Sequence, residues 1–112
     1  MAIRADYFSF NKREYARFKV EAYAPLYLKN NIKKALKLKD ISPRGVGGLI
    51  DFPIQVGEEV EIMLLYPFFE EPVKRKAKVV RCKEINKNTW EVGLDFGMDN
   101  KIDLTDYVKR GK

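Results

Sequence analysis

The fold is decided by the nine-residue stretch DISPRGVGG, residues 40–48. A segment in which leucine alternates with lysine precedes it, and the short apolar run Leu49–Phe52 follows it. The side chains of Asp40 and Ser42 are suited to bond nearby backbone N–H groups, and glycine permits positive φ angles and close approach of the main chain. Taken alone, the stretch predicts a turn between two β-strands.

A pair of arginines, Arg13 and Arg17, stands upstream of this turn, just before a segment with strand character. Residues 18–23 alternate apolar and polar side chains with a period of two, which is typical of a half-buried strand. Residues 33–39 show the same alternation. The two segments are expected to form a β-hairpin, which would return Asp40 to the side of Arg17.

The motifs R-x-x-x-R and D-x-S-x-x-G occur in this order, about one hairpin apart, and together they resemble the PilZ family of bacterial domains that bind cyclic di-GMP. The likeness continues through the glycine-rich strand entry after the serine, the turn at Pro53 and the last strand, Glu91–Phe96, so it covers roughly residues 12–96. The resemblance implies a receptor in second-messenger signalling rather than an enzyme.

Short strands separated by frequent turn signals predict an all-β barrel or sandwich. With the resemblance, we expect a small six-stranded antiparallel β-barrel of the Greek-key or split-barrel type. The most regular alternation of apolar and polar residues is in the last strand. Its apolar residues are expected to line the core, and they are Trp90, Val92, Leu94 and Phe96. Near the C-terminus, apolar residues spaced three and four apart predict a short helix over about residues 100–109, capped by Asp99 or Asn100.

The resemblance carries over a set of positions that bind cyclic di-GMP, namely Arg13, Arg17, Asp40, Ser42 and Gly45. It implies that the arginines bind phosphate and guanine, because a planar guanidinium matches phosphate oxygens and the O6 and N7 acceptors bidentately. The aspartate would accept from guanine N1–H and N2–H, and the serine would bond a base edge or a phosphate. The glycine would let the backbone approach the ligand.

Two further cations are weaker candidates for the same ligand. Lys12, next to the first arginine, is placed to touch a phosphate, and Arg81 could stack on a guanine. For Arg81, a solvated strand residue is an equally good interpretation.

Residues 1–12 are expected to form an N-terminal arm ahead of a single domain, residues 13–112. Three aromatic residues of the arm, Tyr7, Phe8 and Phe10, fit either packing on the domain or contact with a partner. The resemblance implies that the arm closes over the ligand, and its ordering would be a signal that a downstream protein partner reads. A homodimer is left open, as is the pathway that the receptor serves.

The composition limits the other functions that the chain could have. Its 112 residues suffice for one domain, and its net charge of +6 predicts an anionic partner. One cysteine, Cys82, and no histidine exclude an internal disulfide, a Cys/His zinc site and catalysis by a Ser–His or Cys–His pair. No cofactor or metal is expected. The lack of a long apolar run predicts no transmembrane segment and a cytoplasmic location.

Two rival functions stay open. A basic β-barrel could bind single-stranded nucleic acid if its strand cations formed one face, and that set comprises Lys33, Lys34, Lys37, Lys39, Lys74, Arg75, Lys76 and Lys78. Such lysines also fit a simpler role, in which they face water and discourage edge pairing. The other rival is a PilZ-like module that binds only protein. The intact motif pair favours cyclic di-GMP over both.

Overall fold

The computed structural model describes residues 17–110, apart from the side chains of Asn30 and Arg110. Within that range the strands and the helix are, in chain order, β1 (Phe18–Tyr27), β2 (Lys33–Ile41), β3 (Gly45–Ile50), β4 (Glu59–Leu64), β5 (Val73–Asn86), β6 (Thr89–Asp95) and α1 (Thr105–Arg110). Short 3-10 turns cover Lys29–Asn31 and Met98–Asn100.

The strands close into a barrel in the order β1-β2-β3-β6-β5-β4, and β4 pairs back onto β1. Every neighbouring pair is antiparallel. This confirms the predicted six-stranded antiparallel barrel with a short C-terminal helix. In such a ring the β3–β6 pair lies opposite the β1–β4 pair, and β2 lies opposite β5.

The core is formed by the inward faces of the strands, where the alternation of side chains places the apolar residues. Leu26, Leu38 and Ile62 are completely buried, and Val79 is buried on the far side of the barrel. On the predicted core face of β6, Trp90 is partly buried against the core and the other members are buried, which confirms that face. Burying one such aliphatic side chain contributes about 1.5–3 kcal/mol, so the shared core holds the ring closed.

Strand β3 begins at Gly45, so its glycines lie in the strand, as the resemblance implied, and not in the turn that the stretch alone predicts. None of them has a positive φ, which among the described glycines is confined to Gly57 and Gly97. The reason is close packing, because a Cβ on Gly45 would lie 2.1 Å from the carbonyl oxygen of Leu94. Of the two properties that glycine permits, the close approach of the main chain is used here, against β6, and the positive φ is not; an approach of Gly45 to a ligand stays a prediction.

The helix α1 begins at Thr105, later than the predicted start near residue 100. The cap is Asp103, whose Oδ1 accepts the backbone N–H of Thr105 at 2.9 Å, rather than Asp99 or Asn100. The residues before it form the 3-10 turn and an extended segment. No helix within residues 17–110 has the length and apolar character needed to cross a membrane.

Candidate functional site

The two strands that flank the β3–β6 pair each contain a one-residue bulge. In β2 the extra residue is Lys39, and in β5 it is Val80. A bulge re-aims the side chains beside it. Asp40 and Arg81, which would otherwise continue the inward faces of their strands, therefore lie on the outer surface of the barrel.

The two re-aimed side chains lie over a pair of glycines. Gly47 of β3 and Gly93 of β6 are directly paired, with Asp40 as the neighbour of the first and Arg81 as the neighbour of the second. A Cβ on Gly47 would lie 2.9 Å from the Asp40 carboxylate. A Cβ on Gly93 would lie 2.9 Å from Nη1 of Arg81. The two glycines, which we call the glycine floor, form a patch of backbone without side chains, and the Asp40 carboxylate and the Arg81 guanidinium lie over it.

Arg17 reaches this patch from the start of β1. Its Nη2 forms a hydrogen-bonded ion pair with Oδ1 of Asp40, and the two side chains are 25% and 34% exposed. The β1–β2 hairpin therefore brings Arg17 beside Asp40, which confirms that prediction. A partly exposed pair of this kind contributes at most about 1 kcal/mol to stability, so its main effects are to orient both side chains and to balance their charges.

Two clefts meet at this ion pair. The first has a volume of about 290 Å³ and includes among its lining residues Gly93 of the glycine floor and the arginines Arg17, Arg44 and Arg81; we call it the arginine cleft. The second has a volume of about 480 Å³ and is lined by Asp40 with two lysines and two other residues of β1. Guanidinium groups around bare backbone favour a ligand that is both anionic and planar.

A model of the PilZ domain matches residues 11–110 of the sequence. The chain belongs to the PilZ family. The match covers both motifs, and it confirms the family that the sequence resembles. No curated protein sequence matches the chain.

Solved structures of three bacterial proteins share this PilZ fold at low sequence identity. The chain is 17% identical to the inhibitor of motility (MotI/DgrA) of Bacillus subtilis, with a TM-score of 0.65 over 90% of this chain and 51% of that one. It is 18% identical to the PilZ domain of YcgR from Escherichia coli, solved with c-di-GMP, with a TM-score of 0.62 over 89% of this chain and 88% of that one. It is 17% identical to MrkH of K. pneumonia in its c-di-GMP complex, with a TM-score of 0.61 over 91% of this chain and 56% of that one. The chain thus spans about half the length of MotI and MrkH, and these likenesses establish the fold alone.

The serine of the PilZ motif, Ser42, is only 2% exposed, and its hydroxyl bonds the turn after β2. Its Oγ accepts the backbone N–H groups of Arg44 and Gly45, both at 3.2 Å, and donates to the Gly45 carbonyl at 3.3 Å. Gly45 itself lines the arginine cleft. In the structure the serine shapes the loop, and its contact with a ligand stays a prediction.

Of the other candidate residues, Arg81 lies within the described residues, and Lys12 and Arg13 do not. Arg81 lines the arginine cleft, with its Nε 3.9 Å from a carboxylate oxygen of Glu91. Lys12 and Arg13, like the predicted arm, lie outside the described residues, so their binding roles stay predictions. Sequence reasoning missed the glycine floor and Arg44. A signal for the floor was present, because a charged residue stands where the alternation of β2 and of β5 requires a buried one.

The strand cations that were candidates for a nucleic-acid-binding face come from β2 and β5, which are three positions apart in the ring. Lys33 of β2 and Lys74 of β5 nevertheless both lie over Tyr27 of β1, with their ammonium groups 6.0 and 5.1 Å from its ring centroid. Lys34 lies 4.7 Å from the ring centroid of Phe52. The rings of Tyr27 and Phe52 are thus covered by the chain's own lysines, whereas Tyr23 on β1 is 65% exposed, so the nucleic-acid-binding alternative stays open.

Proposed function

We propose that this PilZ protein is a receptor for cyclic di-GMP and not an enzyme, and that the ligand binds over the glycine floor in the arginine cleft. Membership of the family and the two c-di-GMP-bound structures that share its fold support the proposal. The observation that carries it is the meeting of the two motifs in space, because Arg17 and Asp40 form an ion pair where the clefts join.

The groups around this ion pair complement the parts of the ligand. Arg17 retains N–H donors for phosphate oxygens or for guanine O6 and N7, and Asp40 retains lone pairs for guanine N1–H and N2–H. The glycine floor lets a flat base approach the backbone, and Gly45 allows the same at the end of the cleft. Arg81 is placed to stack on a guanine from the far side of the floor.

The ion pair also reduces the electrostatic repulsion within the site when no ligand is bound. Three arginines in one cleft repel each other, and Asp40 offsets part of that charge before a ligand arrives. When a phosphate enters, the Arg17–Asp40 pair is shared with the ligand rather than broken, because a guanidinium has five donors and a carboxylate has about four lone-pair sites. Binding therefore leaves no uncompensated charge in the cleft.

Magnitudes indicate that no single residue accounts for binding. A charge-assisted hydrogen bond contributes about 1.5–3 kcal/mol, whereas micromolar binding requires about 8 kcal/mol after ordering costs. We assign part of the difference to Lys12 and Arg13, whose contacts with the ligand would fix the arm, residues 1–12, on the domain. The surface formed in this way is the signal for a downstream protein partner.

Calorimetric titration with cyclic di-GMP tests the proposal. The unchanged chain should give a saturable isotherm, and Arg17→Ala should weaken binding about 10- to 150-fold, because it removes a charge-assisted contact. Lys74→Ala is the matched control, since it removes the same charge from outside both clefts and should leave the affinity unchanged. A chain that does not bind, or an Arg17→Ala variant that binds as tightly as the unchanged chain, contradicts the proposal.

A further inference from the structure

Arg44 lies in the turn after β2, residues 42–44, at a position that neither motif specifies. Hydrogen bonds fix its backbone on both sides. Its N–H donates to Ser42 Oγ at 3.2 Å, and its carbonyl accepts the N–H of Phe96 at 2.8 Å. The preceding carbonyl, of Pro43, accepts the N–H of Ile102 at 2.8 Å. The Cα of Arg44 is therefore held between the loop, β6 and the C-terminal segment.

The guanidinium of Arg44 is also fixed, by Asp95 at the end of β6. Nε donates to Oδ1 at 2.8 Å and Nη2 lies 3.5 Å from Oδ2, so one edge of the planar group faces the carboxylate. The Arg44 side chain is 40% exposed. It lines the arginine cleft together with Arg17 and Arg81. Asp95 thus sets the plane of a guanidinium that still faces the cleft.

The second edge of that guanidinium lacks a strong acceptor among the described residues. Nη1 lies 2.8 Å from the sulfur of Met98, and a thioether is a weak acceptor. The Nη1–Nη2 edge offers two parallel donors in a fixed plane. Guanine presents two acceptors, O6 and N7, on one edge, whereas adenine presents one acceptor and one donor there. A fixed pair of donors therefore matches guanine and opposes adenine.

We propose that Arg44 reads guanine in this site, with its Nη1–Nη2 edge donating to O6 and N7 of one base while Asp95 holds the guanidinium plane. This inference rests on the proposed function and assigns a base-specificity role within it. It also gives the buried Ser42 a defined task, because the serine hydroxyl places the backbone that carries Arg44. Asp40 and Arg44 would then read different edges of guanine, N1–H/N2–H and O6/N7.

A cycle of two protein forms and two ligands tests the assignment. The forms are the unchanged chain and Arg44→Met, and the ligands are cyclic di-GMP and an analogue whose guanines carry C–H in place of N7. The analogue should bind the unchanged chain about tenfold more weakly, because one charge-assisted hydrogen bond is lost. Arg44→Met should bind cyclic di-GMP at least about tenfold more weakly, and its preference for cyclic di-GMP over the analogue should be about tenfold smaller than that of the unchanged chain.

Two further variants distinguish the effect of the planar pair of N–H donors of Arg44 from the effect of its charge and from a loss of folding. Arg75→Met removes the same charge outside the cleft, and it should keep both the affinity and the preference for cyclic di-GMP. Arg44→Lys keeps the charge in the cleft but loses the planar fork, so its preference should fall below that of the unchanged chain. If Arg44→Met does not fold, judged by circular dichroism, the preference shown by Arg44→Lys decides.

The outcomes distinguish the two proposals. If the unchanged chain binds cyclic di-GMP and Arg44→Met still binds the analogue about tenfold more weakly than cyclic di-GMP, the base-reading role is wrong and the receptor function stands. The same holds if Arg44→Met loses equal affinity for both ligands while the tenfold preference persists, since Arg44 would then contact phosphate. If the unchanged chain does not bind cyclic di-GMP, both proposals are wrong.

Discussion

The outer surfaces of two opposite walls of the barrel differ in what lies beneath their cations. On the β1–β4 wall, Tyr27 points outward, and Lys33 and Lys74 place their ammonium groups over its ring at 6.0 and 5.1 Å. On the β3–β6 wall, the paired outward positions are Gly47 and Gly93, so the flanking charged groups lie over bare backbone.

This difference indicates that the placement of glycines, as much as charge, determines where a ligand can bind. A lysine over a tyrosine ring is already engaged by the ring, and the ring occupies the space beneath it. Arginines around Gly93 leave a cleft of about 290 Å³ with N–H donors along its sides. The net charge of +6 is compatible with both walls and selects neither.

The largest effect is expected from filling the β3–β6 wall where its strands pack most closely. Gly45→Ala would place a Cβ 2.1 Å from the carbonyl oxygen of Leu94, which is backbone and moves only with the strand. We expect the free energy of unfolding to fall by about 2–3 kcal/mol, measured by thermal and denaturant unfolding. Gly57→Ala is the control, because nothing lies within 4 Å of its Cβ and only its φ of +94° opposes the change. Equal losses in the two variants would contradict the close approach of β3 to β6.

The strands around the β3–β6 wall were largely predictable from the sequence, because the alternation of apolar and polar residues is a local property of each strand. The alternation of β1, β2 and β6 depends on which residues of a strand face water, and it predicted the core face of β6 and the hairpin that joins Arg17 to Asp40, whereas the resemblance selected a barrel over a sandwich. The local pattern alone assigned the glycines of residues 45–48 to a turn, and only the resemblance implied a strand entry there. Their role in the strand depends on the distance to Leu94, which no local pattern contains.

The glycine floor was missed for a related reason. In β2 the buried Leu38 is followed in phase by Asp40, and in β5 the buried Val79 is followed in phase by Arg81. A charged residue at an inward position indicates a bulge, and both bulges occur. That both face the same glycine pair follows from the register with β3 and β6, a long-range property. Arg44 had no sequence signal, since it occupies an unspecified position of its motif.

A smaller effect, on binding rather than folding, is expected from giving the glycine floor a side chain. Gly93→Val would occupy the floor and displace the Arg81 guanidinium, whose Nη1 lies 2.9 Å from the position of the new Cβ. Because that group is the end of a flexible side chain, the melting temperature should change little, while calorimetry should show binding of cyclic di-GMP weakened about 10- to 30-fold. Ala35→Val adds bulk to the exposed surface of β2 outside both clefts and should not affect binding. Unchanged affinity in Gly93→Val would show that the ligand does not use the floor.

The dependence of binding on salt sharpens the comparison of the two walls. A cyclic dinucleotide has two phosphates, so its affinity should fall by no more than about tenfold between 50 and 200 mM salt. A nucleic acid held by the lysine-bearing strands would contact many phosphates, and a protein making 6–10 such contacts loses about 10³- to 10⁵-fold over that range. A parallel titration with a single-stranded oligonucleotide provides the comparison. Tighter binding of the oligonucleotide, with the steep dependence, would favour the nucleic-acid function.

The smallest effect is expected at Asp103, which lines neither cleft. Hydrogen bonds from the side chain and the backbone N–H of Thr105 hold the pKa of Asp103 below its usual value. A lowered pKa in the folded state means that this contribution to stability is present above the unfolded pKa and is lost as the pH falls through the folded pKa. Asp103→Ala should therefore melt slightly below the unchanged chain at pH 7, with the gap closing at low pH, and should bind cyclic di-GMP normally. A gap that widens in acid would contradict the capping role.

Amide chemical-shift titration of the isotope-labelled chain with cyclic di-GMP tests the central claim most directly. The account predicts that the largest shifts occur at Arg17, Asp40, Gly47 and Gly93, while Tyr27 on the opposite wall is unaffected. An unchanged spectrum at saturating cyclic di-GMP, or shifts centred on the β1–β4 wall, would contradict it.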